Sequence, residues 1–106
     1  MSINLIVWKW SADYDTASKR RKLGVKYADV VRGFIENEAH PAMAEHDFEA
    51  FERSVEDAVG AEEIDGPYII ERCACARVFN LRADAPSSLP LIGRLAQKHG
   101  LTSAQS

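Results

Sequence analysis

Cysteines, glycine-rich loops and long apolar runs are scarce in this chain, and each absence excludes a class of protein. Two cysteines among 106 residues are too few for the disulfide framework of a small secreted domain. No stretch approaches the roughly 20 apolar residues of a membrane-spanning helix. No positively charged segment precedes the apolar start, so we expect no signal peptide, no membrane partner and a cytoplasmic location.

Catalytic and cofactor motifs are also missing. The six glycines are scattered and form no Gly-x-Gly-x-x-Gly phosphate loop, and no Gly-x-Ser-x-Gly nucleophile motif occurs. We therefore predict a protein that is not an enzyme, with no catalytic residues, no cofactor and no metal. A small enzyme stays open as an alternative, because an active site can assemble from residues that are distant in sequence.

The apolar pattern predicts one α+β domain over residues 1–106. Residues 3–10 read as a strand with apolar side chains on both faces, which is typical of a central or covered strand. Helical patterns cover 16–23, 26–37, 47–59 and a last segment between Ser88 and Gly100. Residues 68–81 read as extended chain broken within 72–76, and 101–106 as a short tail. The expected fold is a two-layer sandwich, a small mainly antiparallel sheet with helices packed on it, in the order β-α-α-β-β-α.

Charge is distributed very unevenly along the chain. The net charge is only −3, yet eleven of the sixteen acidic residues lie between Glu36 and Asp65, where Arg53 is the single Lys or Arg. Segment 19–26 is basic by contrast. A net acidic chain with one short basic segment is unlike a nucleic-acid-binding domain, so the pattern favours a basic protein partner instead.

The acidic residues are concentrated on the predicted helix 47–59. We expect a partner-binding face formed by Glu45, Glu49, Glu52, Glu56 and Asp57, with Phe48 and Phe51 holding the helix to the core. Like charges at spacings of three and four destabilise a helix slightly, and a basic partner would offset that cost. A merely solvated face, or pairing with segment 19–26 of the same chain, remains open.

Cys73-Ala74-Cys75 is the second candidate site. On a strand, residues i and i+2 share a face, so the two thiols would lie side by side. With His40 or His46 they could form a soft metal or redox site. Free cysteines also pack as small buried hydrophobes, and that interpretation stays open.

Two terminal segments resemble a known group of proteins. The segments are Leu5-Ile-Val-Trp-Lys-Trp-Ser and Ile92-Gly-Arg-Leu-Ala-Gln-Lys-His-Gly-Leu101. They resemble small bacterial α/β proteins, some of which are the immunity partners of polymorphic or contact-dependent toxins. The resemblance implies a cytoplasmic, non-catalytic inhibitor that binds a basic toxin domain, in some cases a nuclease.

These observations lead to one function hypothesis and two alternatives. The hypothesis is an immunity-type inhibitor whose acidic helix binds a basic toxin. The first alternative is a small enzyme or a metal or redox protein built on Cys73, Cys75 and His40 or His46. The second is a homo-oligomeric structural protein in which the first strand, apolar on both faces, forms a subunit interface.

Overall fold

The first strand, β1, pairs with three other strands of the sheet. The computed structural model describes residues 2–61, 68–82 and 88–105. The helices and strands are, in chain order, β1 Ser2–Trp10, α1 Ala17–Leu23, α2 Tyr27–Asn37, β2 Met43–Ala44, α3 Glu49–Ala61, β3 Tyr68–Arg72, β4 Ala76–Arg82, α4 Ser88–Lys98 and β5 Thr102–Gln105. A single 3₁₀ turn, Ala12–Tyr14, joins β1 to α1.

β1 lies inside the sheet and pairs along both of its edges. One edge pairs with β4 in an antiparallel register that runs from Ser2 opposite Arg82 to Trp8 opposite Ala76. The other edge is shared between β5, which pairs with residues 5–8, and the short β2, which pairs with residues 9–10. β3 completes the sheet as the antiparallel neighbour of β4.

Side chains alternate along β1 and supply two separate hydrophobic cores. Leu5 and Val7 pack with α3 and α4, whereas Ile6 and Trp8 pack with α2 on the opposite face. The predicted α+β sandwich, a small antiparallel sheet with helices packed on it, is confirmed, and helices cover both of its faces. The central apolar residues of β1, Leu5 to Trp8, are buried within one chain on both faces of the strand.

The tail and the segment before α3 differ from the sequence prediction. Thr102–Gln105 forms β5 although 101–106 was expected as a short tail, and Met43–Ala44 forms β2 where no element was predicted. Neither segment has the alternating apolar pattern of a strand, and each becomes one because β1 offers it an unpaired edge. Leu101 is buried in the α3–α4 core, while Ala104 packs against the α2 core, so this tail contacts both.

The remaining elements follow their local signals. Thr16 caps α1 by accepting a hydrogen bond from the Lys19 N–H at 3.1 Å, and Gly24 ends it in the left-handed region at φ 68°. The extended stretch is a hairpin broken at residues 73–75, with an irregular register between Ile69 and Glu71. The helix expected to end before Gly60 continues to Ala61. The turn that the sequence predicts at Asp65-Gly66-Pro67, and the cap that Pro86 and Ser87 are expected to give the last helix, lie outside the described residues.

Membrane insertion through a helix finds no support in the described part of the chain. None of the helices within residues 2–61, 68–82 and 88–105 is long and apolar enough to cross a bilayer.

Candidate functional site

Helix α3 is fixed to the sheet by a continuous apolar stripe. Phe51 and Val55 are buried on its inner face, and Phe48 is buried immediately before its first turn. The Phe51 ring meets the Phe79 ring of β4 edge to face, with centroids 5.8 Å apart. Ser54 Oγ and His99 Nε2 at the end of α4 lie 2.9 Å apart, within hydrogen-bond distance. The predicted anchoring role of Phe48 and Phe51 is confirmed.

The carboxylates of segment 45–57 fall into three groups. Glu49, Glu56 and Asp57 are exposed on the outer side of α3, because successive residues turn by about 100° and these three lie opposite Phe51 and Val55. Glu45 and Asp47 are also exposed but precede the helix. Asp47 Oδ1 accepts a hydrogen bond from the Glu49 N–H at 3.0 Å, which helps to cap α3. We call Glu45, Asp47, Glu49, Glu56 and Asp57 the acidic surface.

Glu52 faces a different environment from the acidic surface. Its side chain is 19 % exposed, and its Oε1 lies 3.7 Å from Nε of Arg77 on β4. This distance allows an ion pair but is too long for a hydrogen bond. The guanidinium carbon of Arg77 lies 4.5 Å from the centroid of the Phe48 ring. The single outward stripe predicted for Glu45, Glu49, Glu52 and Glu56 is therefore wrong, because Glu45 precedes α3 and Glu52 turns towards the sheet.

The acidic surface and the basic segment 19–26 lie on opposite sides of the sheet. The guanidinium carbon of Arg20 lies 4.4 Å from the centroid of the Trp10 ring, and Trp10 packs on the α2 side. Lys19 Nζ pairs with Asp15 Oδ1 at 2.9 Å, and this hydrogen bond lowers the pKa of the Asp15 carboxyl. Pairing of the acidic helix with its own basic segment, left open by the sequence, does not occur among the described residues.

Only one carboxylate of the acidic surface has an ion pair within the described part of the chain. Glu49 Oε1 lies 2.6 Å from Nη2 of Arg53, but both side chains are largely exposed, so the pair contributes well under 1 kcal/mol. Glu56 and Asp57 form no ion pair with a described residue. The surface therefore keeps an excess of negative charge on a helix that is anchored to the core.

Cys73-Ala74-Cys75 forms the loop of the β3–β4 hairpin rather than part of a strand. The prediction of a shared strand face is wrong, because the ladder is interrupted between Arg72 and Ala76. The thiols nevertheless lie close together, with Sγ atoms 3.7 Å apart. Both cysteines are free thiols. Burial, together with the neighbouring Cys73 thiol, raises the pKa of Cys75 to about 11.

The histidines do not join this pair of thiols. Within the described residues, no three His, Cys, Asp or Glu side chains gather in a cluster that could hold a metal ion. His40 Nδ1 accepts a hydrogen bond from the Ala42 N–H at 3.0 Å. The His46 ring meets the Phe48 ring edge to face, with centroids 5.1 Å apart. Burial, followed by repulsion from Lys9, lowers the pKa of His46.

Two residues near these sites carried no sequence signal. Arg77 sits in an apolar strand, and its partners lie on α3 and in the hairpin loop. Met43 Sδ lies 3.9 Å from Cys75 Sγ although the two residues are 32 positions apart. Only a prediction of which segments pair across the sheet would have placed either residue.

Comparisons of the chain with protein-family models, with curated protein sequences and with solved structures each found no match.

Proposed function

We propose that this chain is a non-catalytic binding protein of the immunity type, which inhibits a toxin by placing its acidic surface on a basic protein surface. The observation that carries the proposal is that the acidic surface and the basic segment 19–26 lie on opposite sides of the sheet. Exposed carboxylates gather on the α3 side, and the basic segment that could neutralise them lies on the α2 side.

The anchoring of α3 supports binding over mere solvation. A charged surface on a helix held by Phe48, Phe51 and Val55 is already in place before a partner arrives, so little ordering entropy opposes association. Complementary charge speeds the encounter and selects the orientation of the partner. Both effects suit an inhibitor that must act before its target does damage.

A nuclease toxin is the target class that this surface fits best. A cleft that binds phosphates is lined with Lys and Arg, and a row of carboxylates can occupy it in place of the nucleic acid. Glu49, Glu56 and Asp57 present such a row on one side of α3. The proposal includes a cytoplasmic location and no direct contact with nucleic acid, because the net charge is −3 and would oppose it.

The experiment reverses the acidic surface without touching the interior. Glu49, Glu56 and Asp57 are changed to Lys together, whereas Glu52 is left in place because it faces Arg77. Tagged wild-type protein is used to capture partners from host lysate at low salt, and captured proteins are eluted with salt and identified. We expect a basic protein whose toxicity is suppressed when the wild-type chain is co-expressed and restored by the triple variant.

A matched control changes net charge by the same amount elsewhere. Asp13, Glu36 and Glu71 are exposed and lie outside segment 45–57, so their triple change to Lys should leave capture and protection intact. Equal loss of binding in the two variants would show that net charge alone matters. Full binding by the Glu49, Glu56 and Asp57 variant would eliminate the acidic surface as the binding site.

A further inference from the structure

The Cys75 sulfur lies within 4 Å of two other sulfur atoms beside the β3–β4 hairpin. Cys75 Sγ lies 3.7 Å from Cys73 Sγ and 3.9 Å from Met43 Sδ. The two cysteines belong to the hairpin loop, and Met43 belongs to β2, which pairs with the far end of β1. Both thiols are half-buried, whereas Met43 is 8 % exposed. This sulfur cluster plays no part in the proposed binding surface.

The two sulfur–sulfur distances that Cys75 makes fit a small metal ion with three sulfur ligands. A metal–thiolate bond measures about 2.3 Å, so three sulfurs placed evenly around one ion lie roughly 4.0 Å from each other. The distances of 3.7 and 3.9 Å are close to this value. We propose that Cys73, Cys75 and Met43 form a binding site for a soft monovalent ion, copper(I).

The softness of the donors selects the ion. Thiolate and thioether sulfur prefer copper(I) over hard divalent cations, and a thioether is a poor ligand for zinc, which takes four Cys, His or carboxylate ligands in structural sites. No third Cys, His, Asp or Glu joins the cluster within the described residues. A three-coordinate copper(I) ion needs no fourth ligand.

The loop carbonyls are held from two sides, so the thiols are arranged before an ion binds. Arg77 Nη1 donates hydrogen bonds to the Cys73 carbonyl at 2.5 Å and to the Ala76 carbonyl at 2.9 Å. The His46 N–H donates to the Ala74 carbonyl at 3.0 Å. The carbonyls of Cys73 and Ala74 are thus fixed by hydrogen bonds, and Cys75 follows Ala74 directly in the chain.

Copper(I) binding to these sulfurs requires no oxidant or reductant. Two thiols lose their protons to solvent, two thiolates and one thioether donate electron pairs to copper(I), and no electron is transferred. The resulting complex carries one negative charge, and the Arg77 guanidinium, bonded to the same loop, places a positive charge beside it.

The test is an anaerobic titration of the reduced protein with copper(I) in competition with the chelator bicinchoninate. We expect the wild-type chain to withdraw one copper(I) per chain. Cys73→Ser and Cys75→Ser should each lower the affinity at least 100-fold, and Met43→Leu, which conserves volume, about 10-fold. X-ray absorption of the wild-type complex should show three sulfurs at about 2.3 Å, with two in Met43→Leu.

Two controls leave the sulfurs in place. Ala74→Ser changes the loop side chain, and His46→Gln removes the imidazole but keeps the backbone N–H that holds Ala74. Both should bind copper(I) like the wild-type chain. Loss of binding in His46→Gln, equal binding of zinc, two sulfurs in the wild-type spectrum, or one copper per two chains would each overturn the site. Unchanged binding in Cys75→Ser would do the same.

Discussion

Arg77 connects three parts of the molecule, and replacing it by Met tests that connection. Its Nη1 donates to the Cys73 and Ala76 carbonyls, and its Nε lies 3.7 Å from Glu52 on α3. Met keeps an unbranched apolar stem that can still cover the Phe48 ring, but it carries no charge and no donor. The substitution therefore removes the polar contacts while preserving most of the packing.

The expected cost follows from those contacts. Hydrogen bonds from a charged donor contribute roughly 1.5–3 kcal/mol, but the Ala76 carbonyl also accepts from the Cys73 N–H at 3.2 Å and retains that partner. We expect Arg77→Met to lower the free energy of unfolding by about 2–3 kcal/mol. For a domain of this length, that loss lowers the melting temperature by roughly 10–15 °C.

Urea unfolding monitored by tryptophan fluorescence measures this difference. Arg32→Met supplies the matched control, because Arg32 is an exposed arginine on α2, and its loss should change stability by less than about 0.5 kcal/mol. Arg77→Lys restores the charge but not the two-carbonyl geometry and should fall between the wild-type and Arg77→Met values. If Arg77→Met were no less stable than Arg32→Met, the assigned role of Arg77 would be wrong.

Two further predictions use matched or pH-dependent measurements. Gly60→Ala should stabilise α3 by about 0.5–1 kcal/mol, since a Cβ there meets nothing within 4 Å. Gly33→Ala should destabilise α2, since its Cβ would lie 2.6 Å from Cδ2 of His40. Equal melting temperatures of the two variants would contradict this prediction. The lowered pKa of His46 means that the unfolded chain takes up its proton more readily, so stability falls as the pH drops below 6.5. Urea midpoints at pH 7.5 and 5.5 should therefore differ less in His46→Gln than in wild type.

The fold was predictable wherever local pattern and tertiary environment agree. β1 carries apolar side chains on both faces, and the structure buries both faces. β5 was not predictable, because Thr102-Ser103-Ala104-Gln105 lacks a strand pattern and becomes extended only by pairing with β1. The extended conformation of a four-residue strand with small and polar side chains depends on pairing with its neighbour, and local sequence patterns do not reveal that pairing.

The candidate sites were predictable in position but not in orientation. The sequence located α3 and its carboxylates, yet it assigned Glu52 to the outer face because helical spacing alone does not reveal Arg77 beneath it. The sequence also paired Cys73 and Cys75 with the histidines. Met43 lies next to them only because β2 and the β3–β4 hairpin meet at the same end of β1.

The position of β1 at the centre of the sheet has a consequence for synthesis on the ribosome. β1 emerges before its partners β4 and β5, which lie far along the chain, with Trp8 opposite Ala76 and Thr102. Ile6, Val7 and Trp8, almost wholly buried in the finished sheet, remain uncovered until those late segments appear. Long-range pairing of this kind slows folding and exposes apolar chain meanwhile. The nascent chain is therefore expected to expose these apolar residues until β4 and β5 have been translated.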